Sequence, residues 1–349
     1  MTAVATSLFD AVIGQERAVE FLRSSAANPV HAYLFVGPDS AGARNAALGF
    51  AAALLCPNGG CGECSTCRRS LAATHPDVAL IERAGASILV GDAREVTRLA
   101  MRSPMEGARK VLVLTDFHAV EEAAPALLKT IEEPSASTVF CILADQVTPE
   151  LVTIASRCVV VDFPPVSAEL IANTLVAEGI DAATAAEAAA LARGSIESGR
   201  AIANDNDMRL RMQVWRSVPD LLDGTAGKVV EVATMLAASL EAAAAPVAAR
   251  HKVEDAEAAE LQKAGLPQPS RREVEVRQRR EQRRARTDDL RSGLATLAGV
   301  YRDRIVDSDM RGGRRALAAL DAIADVADRM QYNPGELVLL EGLLAKLSA

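Results

Sequence analysis

From residue 32 to residue 163, short apolar runs alternate with segments of helical periodicity. The runs are hydrophobic at every position, which is typical of strands covered on both faces in a parallel sheet. Five such runs are present, at residues 32–36, 78–81, 110–114, 138–143 and 158–163. The segments between them predict crossover helices at residues 43–55, 92–101 and 123–133. The sequence therefore predicts an α/β domain with a parallel sheet over residues 1–165.

After Pro164 and Pro165 the pattern becomes purely helical. Ser167 is placed to cap the first of three short helical segments, which predict a small helical domain over residues 166–207. From residue 208 to residue 349 the periodicity is again helical, and it is interrupted near Pro246 and at residues 265–270. Because no strand-like runs occur there, we predict a third, all-α domain over residues 208–349.

Composition narrows the class of protein. Only 3% of the 349 residues are aromatic while 50% are hydrophobic, so the apolar content is mainly Ala, Leu and Val, a helix-rich balance. The net charge of −8 disfavours tight, independent DNA binding. The N-terminus lacks the features of a secretory signal, and Glu241 and Pro246 interrupt the longest apolar stretch below the ~20 residues that a bilayer requires. We expect a cytoplasmic protein without a membrane partner.

One segment departs from the acidic average, since residues 271–286 contain eight arginines and three glutamates. These arginines predict either a phosphate-contacting patch or a solvated helix face laced with Glu/Arg pairs. No aromatic residues that could stack on bases lie between them, which favours the second interpretation.

Four of the six cysteines lie within twelve residues, with the spacing C-x4-C-x2-C-x2-C: Cys56, Cys61, Cys64 and Cys67. This spacing, with glycines between the cysteines, predicts a tetrahedral four-thiolate knuckle over residues 56–67. Zinc is favoured over an iron–sulfur cluster, and four reduced surface thiols are the remaining alternative. Four sulfur ligands leave no open coordination position, so a structural ion is expected.

The first strand is followed by a glycine-framed loop where a P-loop would have the pattern G-x-x-x-x-G-K-[ST]. Gly37 and Gly42 occupy the two glycine positions, but Ala43 stands at the lysine position and Arg44 at the hydroxyl position. The third strand is followed by Thr-Asp-Phe-His at residues 115–118, which offers one carboxylate where an ATPase has two. Both halves of the site have lost their chemistry, so the sequence predicts that this chain does not hydrolyse ATP.

One element of NTPase chemistry is retained. Arg157 precedes the fifth strand, within Ser-Arg-Cys at residues 156–158. An arginine on such a loop can stabilise charge on the γ-phosphate of a neighbouring subunit's nucleotide. The alternative is a surface or inter-domain salt bridge.

Together these strings resemble those of the delta-prime subunits of the bacterial DNA polymerase III clamp loader, in the AAA+ superfamily. The resemblance rests on the knuckle, on Ser-Arg-Cys and on five further strings, at residues 12–15, 31–37, 126–134, 194–200 and 333–344. Residues 208–330 match only in general character.

The resemblance implies an AAA+ (P-loop NTPase-like) α/β domain, a small helical lid and an all-α collar that joins a hetero-pentameric ring with gamma/tau and delta subunits. It implies a non-catalytic stator of the polymerase holoenzyme that helps to load the sliding clamp onto primed DNA. Arg157 would be the arginine finger in trans, and the four cysteines would hold Zn²⁺. Arg200 matches a lid position that AAA+ ATPases use to sense nucleotide, and here we expect it to make structural contacts.

Two other functions remain open. One is an ATP-hydrolysing motor subunit of the gamma/tau kind, against which Ala43 and Arg44 argue. The other is a free-standing zinc-dependent DNA-binding module, which the net charge and the scarcity of aromatic residues disfavour.

Overall fold

The computed structural model describes residues 5–38, 40–82, 90–117, 124–263, 270–307, 310–330 and 335–348. The strands are β1 (Ala32–Val36), β2 (Val78–Ile81), β3 (Lys110–Leu114), β4 (Thr138–Ala144) and β5 (Val159–Asp162). The helices of the first 204 residues are α1 (Glu16–Ser25), α2 (Ser40–Leu55), α3 (Ser65–Leu71), α4 (Val90–Ala100), α5 (Ala124–Glu132), α6 (Val152–Ala155), α7 (Ala168–Ala177), α8 (Ala182–Leu191) and α9 (Ile196–Asn204). Those that follow are α10 (Asn206–Leu221), α11 (Ala226–Lys263), α12 (Arg271–Asp307), α13 (Met310–Arg329) and α14 (Glu336–Ser348).

The five strands form one parallel sheet in the order β2-β3-β4-β1-β5. Strands β3 and β4 are buried at every position, because helices cover both faces. Alternate strand residues belong to two apolar clusters, one on each face of the sheet. Phe35 and Val113 lie in the cluster that includes α2, and Leu34 and Phe140 lie in the cluster that includes α5. The predicted parallel α/β fold is confirmed.

The described chain divides into two compact units, the first ending at Ala203 and the second beginning at Asn204. In the first unit, α7 to α9 follow the sheet. Ser167 caps α7 by accepting a hydrogen bond from the N–H of Leu170, as predicted. The three-domain division, with a lid at 166–207, stays a prediction.

The second unit is helical throughout its described residues. Helix α11 buries a stripe at the helical period, which includes Val229, Ala233, Leu236 and Leu240, and it packs on α12 and α14. By length and composition alone, the part of α11 from Ala226 to Leu261 could also cross a membrane, a test that the core helix of a water-soluble protein passes as well.

The predicted interruption near Pro246 is wrong, because α11 runs unbroken through this residue. A proline inside a helix removes one hydrogen bond and costs ~3 kcal/mol. Apolar packing of α11 before the proline, and ion pairs from α12 after it, offset that cost. The other predicted interruption, at 265–270, falls almost entirely outside the described residues.

Candidate metal centre and degenerate nucleotide site

The four knuckle cysteines lie on the connection between α2 and α3. Cys56 directly follows the last residue of α2, and Cys64 caps α3 by accepting a hydrogen bond from the N–H of Cys67. The intervening loop turns tightly because three glycines adopt the left-handed conformation, with φ of +68° at Gly59, +87° at Gly60 and +82° at Gly62. The loop therefore brings the cysteines together, as the spacing predicts.

The sulfur atoms have the separations of a four-thiolate metal site. All four lie within 4.8 Å of one another, and Cys56 Sγ is 3.7 Å from both Cys61 Sγ and Cys64 Sγ. Four sulfurs at ~2.3 Å from a tetrahedral ion are ~3.8 Å apart, whereas a disulfide requires ~2.05 Å. All four cysteines are free thiols. The donor set therefore fits a tetrahedral ion such as zinc, and its closed shell would supply structural cross-linking.

Local backbone groups favour the thiolate form at two of the four positions. The N–H groups of Glu63 and Cys64 lower the pKa of Cys61 to about 6. Burial raises the pKa of Cys56, but N–H groups of its loop outweigh burial and leave that pKa below its ordinary value. Burial raises the pKa of Cys67. The thiolate is the form that binds a metal ion. The lowered pKa values of Cys56 and Cys61 therefore favour the metal-binding form of these two cysteines before any ion binds.

The knuckle is tied to the sheet through a network that the sequence analysis missed. Arg69, on α3, forms a bidentate ion pair with Glu106, in which Nη2 donates to Oε2 at 2.5 Å and Nη1 donates to Oε1 at 3.1 Å. Glu106 lies in the loop before β3, and this loop is held by Asp77, whose carboxylate accepts the N–H groups of Met105, Glu106 and Gly107 at 2.5, 2.8 and 2.7 Å. The only feature of the sequence that could have indicated this network is an aspartate, Asp77, directly before β2.

The predicted glycine-framed loop is shorter than expected, because α2 begins at Ser40 rather than at residue 43, so that Gly42 lies within the helix. Gly37 ends β1 so close to β5 that an added Cβ would lie 1.9 Å from the carbonyl oxygen of Phe163. Ala43, at the lysine position, is buried in the apolar core. Arg44, at the hydroxyl position, pairs with Glu82 at 3.7 Å. The glycine at 37 is thus explained by close packing of the strands.

The loop after β3 supplies little more. Thr115 continues the pairing with β2 by donating its N–H to the carbonyl of Ile81, and the ring of Phe117 is buried. Asp116 has a φ of +52°, an unusual conformation for a residue with a Cβ. Residue 118, the last of the four predicted here, lies outside the described part of the chain.

Arg157 lies at the other end of the sheet from this loop. It lies two residues before β5, in the turn after α6, whereas Gly37 directly follows β1, and the register pairs Tyr33 with Val159 in parallel. The first residue of β5 is therefore about 13 Å along the strand direction from Gly37, and Arg157 precedes it. Its Nη1 donates to the carbonyl of Thr153 at 2.7 Å, and its Nε lies 3.3 Å from Glu132 Oε1.

The lid arginine named in the sequence analysis also has partners. Arg200, on α9, donates from Nε to both carboxylate oxygens of Glu178, at 3.0 and 2.9 Å. This contact joins α9 to the end of α7, in agreement with the structural contacts expected for it.

The parallel sheet with helical segments after it is the architecture expected of an AAA+ domain with helices C-terminal to it. Residues 14–167 match the family model described as DNA polymerase III, delta subunit. Over 207 residues the chain is 36% identical to the delta-prime subunit of Pseudomonas aeruginosa DNA polymerase III. This aligned region covers 56% of this chain and 62% of that protein. It is 30% identical over 154 residues to the Bacillus subtilis delta-prime subunit, covering 43% and 47%.

These matches confirm the resemblance: over part of its length the chain is similar in sequence to DNA polymerase III delta-prime subunits. The matched regions span less than two thirds of those relatives. A solved gamma subunit-related protein of Thermotoga maritima aligns over 95% of this chain and 98% of its own, at 17% identity and a TM-score of 0.44.

Proposed function

We propose that this chain is a non-catalytic stator subunit of the DNA polymerase III clamp loader. In this role it joins gamma/tau and delta subunits in a hetero-pentameric ring that loads the sliding clamp onto primed DNA in the cytoplasm. It hydrolyses no ATP of its own and supplies Arg157 to the nucleotide of a neighbouring ATPase subunit. The observation that carries the proposal is the placement of Arg157 at the end of the sheet opposite Gly37.

This placement supports action in trans rather than on a nucleotide of the same chain. An arginine side chain reaches ~7 Å, whereas β5, which Arg157 precedes, begins about 13 Å along the strand direction from Gly37. Arg157 therefore has no access to a nucleotide bound there, but it lies on an outer edge of the sheet where another subunit can approach. An arginine finger accelerates phosphoryl transfer by ~10³–10⁵.

The contacts that hold Arg157 are suited to a finger that must change partners. Its side chain is 35% exposed and that of Glu132 is 52% exposed. An exposed ion pair of this kind contributes ~0–1 kcal/mol, so an incoming γ-phosphate displaces Glu132 at little cost. The hydrogen bond to Thr153 keeps the guanidinium aligned along the edge of the sheet.

The motor alternative, a gamma/tau-like ATPase, needs a lysine and a hydroxyl that this loop lacks. Ala43 is buried, and the charge of Arg44 is directed to Glu82. In the proposed role the knuckle holds one structural Zn²⁺, which would cross-link the connection between α2 and α3.

The proposal is tested by reconstituting the ring with two variants. Arg157→Ala removes the guanidinium, and we expect the ring to assemble while clamp- and DNA-stimulated ATP turnover falls. Glu132→Ala is the matched control, because it breaks the same ion pair and leaves Arg157 in place, so turnover is retained or raised. Equal losses in both variants would assign Arg157 a structural role, and unchanged turnover in Arg157→Ala would remove it from the mechanism.

A further inference from the structure

Helices α11 and α12 run antiparallel over the Arg-rich segment. Contacts between them join Arg250 to Glu281, Asp255 to Gln278 and Glu241 to Arg286, so residue numbers rise on one helix as they fall on the other. The side of α12 that faces α11 is therefore fixed by these contacts, and the segment 271–286 divides into two sets of arginines.

Four of the eight arginines have carboxylate partners. These are Arg271 with Glu275, Arg277 with Glu254 and Glu281, Arg284 with Asp288, and Arg286 with Glu241 and Glu336. For these four arginines, the structure agrees with the prediction of a solvated helix face with Glu/Arg pairs. The paired set explains only half of the positive charge.

The other four, Arg272, Arg279, Arg280 and Arg283, form no ion pair with any residue that the structure describes. At ~100° per residue they fall within about 100° of one another around α12, opposite the side that contacts α11. They extend about 16 Å along the helix axis. We call this set the arginine stripe. The first three of its members are exposed and the fourth is half-buried.

The stripe works against the stability of its own helix. Arg279 and Arg283 are four residues apart, and Arg280 and Arg283 are three apart, so each pair repels by ~0.2–0.5 kcal/mol. Glu275 lies three residues after Arg272 and four before Arg279, but its carboxylate pairs with Arg271, and no acidic residue lies three or four residues from Arg280 or Arg283. Since these arginines contribute no described contact to the fold, their charge is left available for a ligand.

We propose that the arginine stripe binds the phosphate backbone of duplex nucleic acid without regard to sequence. Every cation of the segment 271–286 is arginine rather than lysine, which suits paired hydrogen bonds to phosphate oxygens. A duplex carries one charge per ~1.7 Å of axis, so a cationic row about 16 Å long meets several phosphates in any register. The only apolar member of this face is Val276, so there is no anchor pocket of the kind that recognises a peptide.

The net charge of −8 does not oppose such local binding. At ~0.1 M salt the Debye length is ~10 Å, so charges farther than this from the stripe are largely screened. The inference goes beyond the proposed function and is tested independently of Arg157, because the stripe lies in the second unit and Arg157 in the first.

The test uses the full chain and a fluorescent duplex of unrelated sequence, with affinity measured by anisotropy over a range of salt concentrations. The stripe variant carries Arg279→Gln and Arg283→Gln, and the matched control carries Arg277→Gln and Arg284→Gln, which change the net charge equally. We expect the slope of log K against log salt to fall in magnitude by about 2 in the stripe variant and to change little in the control.

Three results would overturn the proposal: no binding of the wild-type chain at low salt, equal effects of the two double variants, or stronger binding of a polyglutamate peptide than of the duplex. Glutamine is a good helix former, and the stripe variant loses only repulsion, so we expect its melting temperature to be unchanged or higher. Circular dichroism of both variants verifies that the helices remain.

Discussion

The carboxylate of Asp77 is predicted to hold the loop that anchors the knuckle. Replacement by alanine removes an acceptor that now serves three backbone N–H groups, those of residues 105–107. The change leaves the backbone pairing of Asp77 itself intact, because its carbonyl still accepts the N–H of Val111. The loss is therefore confined to the side chain and the loop it binds.

The expected magnitude follows from the number of hydrogen bonds. Each bond to a charged acceptor contributes ~1.5–3 kcal/mol, and the exposed loop recovers part of this by binding water. At ~1–1.5 kcal/mol for each of the three donors, Asp77→Ala lowers the free energy of unfolding of the first unit by about 3–5 kcal/mol. Asp77→Asn keeps one acceptor oxygen and turns an amide N–H₂ toward the loop, so it falls between wild type and alanine.

The measurement is urea unfolding followed by circular dichroism, together with hydrogen exchange of the peptide that contains residues 102–110. Trp215, the single tryptophan, lies in the second unit, so its fluorescence does not report on this loop. Asp181→Ala is the matched control, since Asp181 is an exposed aspartate that accepts the N–H of Thr184 at the start of α8. The reasoning is refuted if Asp77→Ala destabilises no more than the control or leaves exchange at 102–110 unchanged.

The same variant makes a prediction about pH. Burial raises the pKa of Asp77, but the three N–H donors and His75 outweigh burial and hold the pKa below its usual range. A carboxyl with a depressed folded-state pKa stabilises the protein above its unfolded pKa of ~3.9, and this contribution is lost as the pH falls through the folded value. The stability difference between wild type and Asp77→Ala should thus be constant at neutral pH and shrink below about pH 4.

Two further predictions concern the metal centre and the glycine-framed loop. Elemental analysis of the purified chain should find about one zinc per chain. Chelation should expose four thiols to a thiol reagent while Cys141 stays buried. Less than half an equivalent of zinc, or iron in its place, contradicts this prediction. Gly37→Ala should destabilise by about 2–3 kcal/mol, because the new Cβ meets a backbone oxygen 1.9 Å away. Gly299→Ala, where α12 leaves open space, should be neutral or stabilising, and equal effects would show that strand packing does not require Gly37.

The sequence was sufficient for the sheet and the knuckle because both depend on local patterns. Continuous apolar runs identified all five strands to within one residue at every boundary. The cysteine spacing specified a loop that brings four sulfurs within 4.8 Å. Ala43 and Arg44 likewise predict the loss of nucleotide chemistry from the sequence alone, since a side chain that is missing from a motif needs no structure to be recognised.

Features that depend on contacts between distant residues were not predictable in this way. The role of Asp77 arises from a loop 28 to 30 residues further along the chain. The continuity of α11 through Pro246 depends on packing against α12. Helix propensities of single residues carry no information about such packing. The division of the Arg-rich segment into paired and unpaired sets required the register between two long helices.

In the proposed function, Arg157 acts on a neighbour's nucleotide while this chain hydrolyses none. This is tested most directly by the single-turnover rate of ATP hydrolysis in an assembled ring that carries Arg157→Ala in this subunit alone. We expect the rate at the adjoining ATPase site to fall by ~10³-fold or more, with assembly intact. A rate equal to that of the wild-type ring would show that Arg157 does not act on that nucleotide.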